Sequence, residues 1–295
     1  MGPSFVERLK DRVARVGSAA CVGLDPVLER LPASIAGASP ADRIEAFCLA
    51  VVEATCDQAA CFKPQWACFE RYGSAGIRAL ESVTQAARAT GALVIADAKR
   101  GDIGVSSAHY AEALFSGEAE SDAGTVSPYL GGEAITPLLD AAGRGKGLFV
   151  LVRTSNPGAG ELQGLVLDDG RSVAQAVADR VSAWGKASVD ATGYSGVGAV
   201  VGATAPGEAA ELRQRMPDQV FLVPGFGAQG GTVDTVAPCF DAQGRGAIVN
   251  ASRSVLYAFE GGPGPWQSAV SEAAARFGEQ VERASAMAQE RTAKR

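Results

Sequence analysis

The sequence predicts an α/β protein built as a single (β/α)8 TIM barrel. Three observations carry this. Eight short apolar runs recur along the chain, each run ends in Gly, Pro or polar residues, and segments of helical character lie between them. The runs are almost continuous rather than alternating, the pattern of strands buried on both faces of a parallel sheet. A doubly wound open sheet is the alternative arrangement of the same units. The chain of 295 residues suits one large barrel or two ordinary domains. No linker or shift of composition divides it, so residues 1–295 read as one domain.

The runs are justified in order. The first is 19–26, ending Gly23-Leu24-Asp25-Pro26, and a helix over 40–57 opens at Pro40 behind Ser39. The second, 60–64, ends Phe62-Lys63-Pro64 and leads into helical residues 66–90. The third, 92–99, ends Asp97-Ala98-Lys99 before helical 102–116. The fourth, Gly124–Pro128, is the weakest, and 132–143 follows as a helix. The fifth, 147–155, ends Arg153-Thr154-Ser155. A Gly-rich stretch over 156–170 then delays the helix at 171–188 and is long for a βα loop. It reads equally as an active-site lid or as a surface insertion. The sixth run, 197–204, precedes a helix over 206–215; the seventh, 220–225, a Gly-rich turn and a helix over 231–237; the eighth, 247–253, a helix over 253–260. A peripheral helix rich in Ala, Glu and Arg covers about 264–293, with a basic end at Lys294-Arg295.

Composition narrows the chemistry. Apolar residues make up 47% and charged residues 20%, enough for a sizeable core. The net charge is −6 and no Lys/Arg run occurs, which speaks against nucleic acid as a partner. No apolar stretch approaches ~18 residues, so no membrane span is expected, and the charged N-terminus has no signal-like apolar region. The six cysteines form no C-x-x-C pair and read as free thiols of a reducing, cytoplasmic compartment. The only histidine is His109, within a helical stretch, where it reads as a surface or packing residue. A His-based triad or a multi-His zinc site is thereby excluded, and catalysis falls to other polar side chains.

Catalytic groups of such barrels stand where strands end. Asp25, Lys63, Asp97, Lys99, Ser155, Thr204, Gln229 and Arg253 stand there. Charges beside buried strands are costly unless they are paired or functional. Asp97 and Lys99 are two apart on one strand and should face the same way. Asp102 follows in Asp97-Ala98-Lys99-Arg100-Gly101-Asp102. At the end of the seventh run, glycines 225, 227, 230 and 231 would let backbone N–H groups approach an anion, with a helix opening behind them. Arg253, after the eighth run, offers a planar donor fork. The loops after strands seven and eight are the usual phosphate site of this fold, so a phosphorylated ligand is expected.

These residues resemble the orotidine 5′-phosphate decarboxylase family. The Asp97-x-Lys99-x-x-Asp102 element matches its signature, although related sugar-phosphate barrels share that element. Gly23-Leu-Asp25-Pro, Phe62-Lys63-Pro, Thr154-Ser155-Asn-Pro-Gly-Ala, Gly202-Ala-Thr204-x-Pro206, Pro224-Gly-Phe-Gly-Ala-Gln229-Gly-Gly and Asn250-Ala-Ser-Arg253 extend the match over roughly residues 18–257. The similarity is greatest to the longer bacterial branch. It implies that Lys99 protonates C6 of the pyrimidine, that Asp97 sits beside the departing carboxylate, and that Lys63 and Asp102 complete a Lys-Asp-Lys-Asp array. It implies that Asp25 and Lys63 bind ribose hydroxyls, that Ser106 assists near Asp102, that Ser155 meets the pyrimidine edge, and that Gln229 and Arg253 hold the phosphate. It implies a homodimer with Asp102 supplied across the interface, and a reaction with neither cofactor nor metal. The rival readings are a metal-dependent sugar-phosphate decarboxylase or epimerase of a related barrel, which would carry an acidic residue where Lys63 stands, and a non-catalytic nucleotide-binding barrel.

Overall fold

The computed structural model describes residues 2–204 and 206–293. Lys294 and Arg295, read above as a basic end, lie outside the described residues. The eight expected strands are all present: β1 (Ala20–Leu24), β2 (Cys61–Pro64), β3 (Leu93–Arg100), β4 (Ala123–Val126), β5 (Gly147–Arg153), β6 (Ser195–Val201), β7 (Gln219–Val223) and β8 (Ala247–Ala251). Each pairs in parallel with the next, and β8 returns to β1, so the sheet closes into a barrel. The open-sheet alternative is thereby excluded.

Twelve helices accompany the strands among the described residues. In chain order they are α1 (Phe5–Val16), α2 (Pro40–Thr55), α3 (Trp66–Glu70), α4 (Gly73–Ala89), α5 (Gly104–Phe115), α6 (Gly132–Gly143), α7 (Gly160–Gln163), α8 (Val173–Gly185), α9 (Pro206–Arg215), α10 (Val233–Val236), α11 (Arg253–Leu256) and α12 (Trp266–Ala293). The expected single helix over 66–90 is two, because the chain turns at Arg71-Tyr72 and Gly73 adopts φ +61°. That left-handed conformation favours glycine.

α1 was not anticipated, yet the sequence carries its signals. Ser4 and Glu7 form a reciprocal capping box, and Gly17 ends the helix at φ +82°. Its buried face, Phe5, Val6 and Leu9, joins the barrel interior with Cys21, Cys61, Ile95, Phe149, Leu222 and Ile248. α1 therefore plugs the N-terminal end of the barrel. Gly147 opens β5 without a side chain because a Cβ there would come within 2.8 Å of the Phe5 ring.

The other helices pack on the outer face of the strands around a second apolar layer. α12 packs one face onto its neighbours. Trp266, Val270, Ala274, Phe277, Val281 and Ala284 are buried. The Trp266 ring lies 5.3 Å from Phe47 of α2, and Phe277 lies 5.2 Å from Phe226, so α12 supports the loop after β7. Four cysteines are buried, two are half-buried, and none is paired. His109 is exposed on α5. No helix among the described residues is long and apolar enough to cross a membrane.

Candidate active site

With α1 closing one end, the open end is the C-terminal mouth, where a cavity of about 530 Å³ collects residues from all eight strand ends. Asp97, from β3, is buried at its base. Its Oδ2 accepts hydrogen bonds from Lys63 Nζ at 2.7 Å and Gln65 Nε2 at 3.1 Å. Its Oδ1 accepts from Lys99 Nζ at 2.6 Å and Thr125 Oγ1 at 3.1 Å. Both oxygens are saturated, and the carboxylate lies between two ammonium groups.

Burial by itself would raise the Asp97 pKa, but Lys63 and Lys99 overcome it and hold the group well below the ordinary carboxylate range. Burial would likewise lower the Lys63 pKa, and Asp97 together with Asp25 instead raises it above the ordinary lysine range. Lys63, only 4% exposed, is a buried cation kept charged by carboxylates on either side. Breaking one partner of such a cluster strands the other.

The convergence of Asp97 and Lys99 has a different cause from simple strand alternation. The β3–β4 register shifts between Ala96 and Arg100, so β3 bulges there. Lys99 is the only non-glycine residue at positive φ among the described residues, at +47°. Such a conformation costs about 1–3 kcal/mol and persists only where the surroundings enforce it. The bulge re-aims the lysine so that its ammonium meets the carboxylate two residues earlier.

Asp25, Ser155, Gln229 and Arg253 also line the cavity, as the sequence predicts. Asp25 Oδ1 is buried without a partner among the described residues, and so is Asn250 Oδ1. Three of the four glycine amides of the loop after β7 have partners within the loop. The amides of Gly227, Gly230 and Gly231 donate to Gly231, Gly227 and Gly225 carbonyls within the loop's own turns. Those amides are therefore spent on folding the loop, and Gln229 and Arg253 supply the polar side chains at this rim.

Asp102 and Ser106 are not brought to the cavity of the same chain. Asp102 Oδ1 accepts from the Ile103 amide at 2.8 Å, and Ser106 is exposed on α5. Thr204 does not line the cavity either. The stretch over 156–170 reaches the site through Asn156 and Gln163, and Gln163 clasps Thr154 with bonds of 2.9 and 2.8 Å.

Sequence reasoning missed Gln65, Thr125 and Asn250. Two had a legible signal: Gln65 follows Lys63 at the strand period, and Asn250 is a polar interruption in an apolar run. Thr125, in the weakest run, had none. Among the described residues no three His, Cys, Asp or Glu side chains form a group able to hold a metal ion.

Comparison with known proteins points to one family. The family model for orotidine 5′-phosphate decarboxylase / HUMPS matches residues 19–260. An orotidine 5′-phosphate decarboxylase of Rhodopirellula baltica is 42% identical, covering 94% of this chain and 99% of that one. One of Clostridium perfringens is 40% identical over 87% of this chain and 90% of its own. The structure of Leishmania donovani OMP decarboxylase superposes with a TM-score of 0.80 at 34% identity, covering 96% of this chain and 98% of that one.

Proposed function

The chain belongs to the orotidine 5′-phosphate decarboxylase / HUMPS family, and on that premise we propose that it is a metal- and cofactor-free carboxy-lyase with Lys99 as proton donor. Its reaction is the conversion of orotidine 5′-phosphate to uridine 5′-phosphate in pyrimidine biosynthesis, the activity named for its relatives. The observation that carries the residue assignment is the Lys63–Asp97–Lys99 cluster at the base of the cavity that Gln229 and Arg253 also line.

The substrate's phosphate meets Gln229 and Arg253, whose donors suit its oxygens. The ribose lies near Asp25 and Lys63, and Ser155 meets the pyrimidine edge. The substrate carboxylate then faces ionised Asp97. Two such charges ~3 Å apart at an effective dielectric of ~20 repel by roughly 5 kcal/mol. The C6–carboxyl bond breaks, CO2 leaves, and the electron pair stays at C6. The Lys99 ammonium stabilises that charge and gives C6 its proton. Solvent then reprotonates the amine. The metal-free reading rests on Lys63, a cation where a metal-holding barrel needs an acidic ligand.

A homodimer belongs to the same proposal. Ile103 beside Asp102, Val105 in the first turn of α5, and Tyr129 and Leu130 on the loop after β4 are exposed apolar side chains, with Val105 at 73% and Tyr129 at 83% exposure. Apolar surface of this kind suits contact with a second copy, which would bring Asp102 and Ser106 toward the neighbouring mouth. A cytoplasmic location is supported by the six unpaired thiols.

The test is an ultraviolet assay of the purified chain with orotidine 5′-phosphate, with and without EDTA. Substrate consumption at an undiminished rate in EDTA is expected. Absence of consumption would overturn the activity, and a rate abolished by EDTA would overturn the metal-free mechanism alone.

A further inference from the structure

Lys99 holds an unfavourable backbone conformation, and the structure shows one side chain placed to enforce it. Past Ala96 the β3–β4 ladder loses register until Arg100 meets Val126. Within that gap the Lys99 amide finds no ladder carbonyl. It donates instead to Thr125 Oγ1 at 3.0 Å. The same hydroxyl lies 3.1 Å from Asp97 Oδ1 and 3.4 Å from the Ala96 carbonyl. A hydroxyl has one proton. Accepting from Lys99 leaves that proton for Asp97, the nearer and charged acceptor. Thr125 is only 1% exposed, so its hydroxyl is committed to these protein partners rather than to bulk solvent.

We propose that Thr125 is a positioning residue for the decarboxylation, coupling the left-handed turn at Lys99 to the Asp97 carboxylate so that the ammonium is aimed at C6 before substrate arrives. This rests on the reading of Lys99 as proton donor. One oxygen fixes both the backbone that directs Lys99 and the carboxylate that holds its ammonium. Without it, the Lys99 amide is orphaned inside the barrel, and the bulge relaxes toward regular strand, swinging the side chain away. Small displacements of a reacting group are expensive: ~1 Å costs on the order of a hundredfold in rate. The defect should fall on the chemical step, because Thr125 is remote from the proposed phosphate contacts.

The test compares Thr125→Val, of the same shape without the hydroxyl, with Thr125→Ser, which keeps it. Thr125→Val should lower kcat roughly ten- to a hundredfold and leave KM within about threefold, whereas Thr125→Ser should stay within about threefold of the parent kcat. Melting temperatures confirm that each variant is folded. Should Thr125→Val not fold, Thr125→Ala is read by the same criteria. A near-parent kcat for the hydroxyl-free variant overturns the proposal. So does equal loss in the Ser variant, or a loss confined to KM. Lys99→Ala, assayed alongside, separates the two readings. If it retains turnover, the proton-donor assignment fails; if it is dead while Thr125→Val is fully active, only the positioning role fails.

Discussion

The two ends of the barrel treat buried charge in opposite ways. At the floor, Arg12 reaches from α1 and gives every bond to a carbonyl: Ala59 at 3.1 Å, Thr90 at 3.5 Å, and Cys56. Cys56 and Thr90 cap the C-terminal ends of α2 and α4, where the helix dipoles favour a cation. Arg213 likewise donates to the carbonyls of Met216, Gln219, Cys239 and Gly246. At the mouth, by contrast, the buried charges Lys63 and Asp97 pair with each other, Asp25 Oδ1 keeps no partner among the described residues, and Lys99 holds a costly backbone. Satisfied charge locks an end shut, whereas strained and unsatisfied groups remain available to a substrate.

The comparison breaks most visibly at Lys99. Lys99→Ala should cut kcat by ~10⁴-fold, the upper range for a general acid, and should also lower the melting temperature, because buried Asp97 loses one of its two ammonium partners. Residual turnover within tenfold of the parent would mean that the mouth's strain serves no chemistry. Mixing this variant with an equally inactive Asp102→Ala protein extends the test. In a dimer that shares sites, subunit exchange should restore up to about a quarter of parent activity. No recovery after demonstrated exchange would place Asp102 outside the partner's site.

The floor should answer in stability. Arg12→Ala strands buried carbonyls at two helix ends and removes the packing of the guanidinium stem, a loss of ~2–4 kcal/mol. Urea unfolding should show it, while kcat and KM of the folded fraction stay near the parent values. A variant with full stability and reduced turnover would reverse the division of labour drawn between the two ends.

The same division explains what the sequence could convey. All eight strands were legible because fully buried parallel strands write themselves as unbroken apolar runs. Asp97, Lys63 and Lys99 were legible because charge at the end of such a run is costly without a purpose. The α1 plug was overlooked although Ser4, Glu7 and Gly17 mark its ends, since eight repeating units already accounted for a barrel. Thr125 and the bulge at Lys99 were out of reach. A bulge is a relation between two strands, and a strand-period argument applied to β3 alone assigns Asp97 and Lys99 to one face without showing what holds them there.

The acid dependence of stability is the smallest expected effect and sharpens the contrast at one residue. The folded Asp97 carboxylate titrates well below its ordinary value of 3.8 because Lys63 and Lys99 outweigh the cost of burying it. A lowered folded pKa means that the unfolded chain binds the proton more readily. The stability contributed by Asp97 is therefore complete above about pH 4 and is lost as the pH falls toward the folded value, by up to ~1.4 kcal/mol per pH unit. Asp97→Asn has no such titration and removes the Lys63–Asp97 ion pair at every pH, leaving Lys63 only the charge of Asp25 nearby. The stability gap between parent and variant, measured in urea at steps from pH 5 to pH 3, should thus be widest at pH 5 and narrow toward pH 3. Carboxylates remote from the cluster are the same in both proteins and cancel in the difference. A gap constant across that range would show that the Asp97 charge contributes nothing to folding, and that the cluster at the mouth is held together by the barrel rather than by its own attraction.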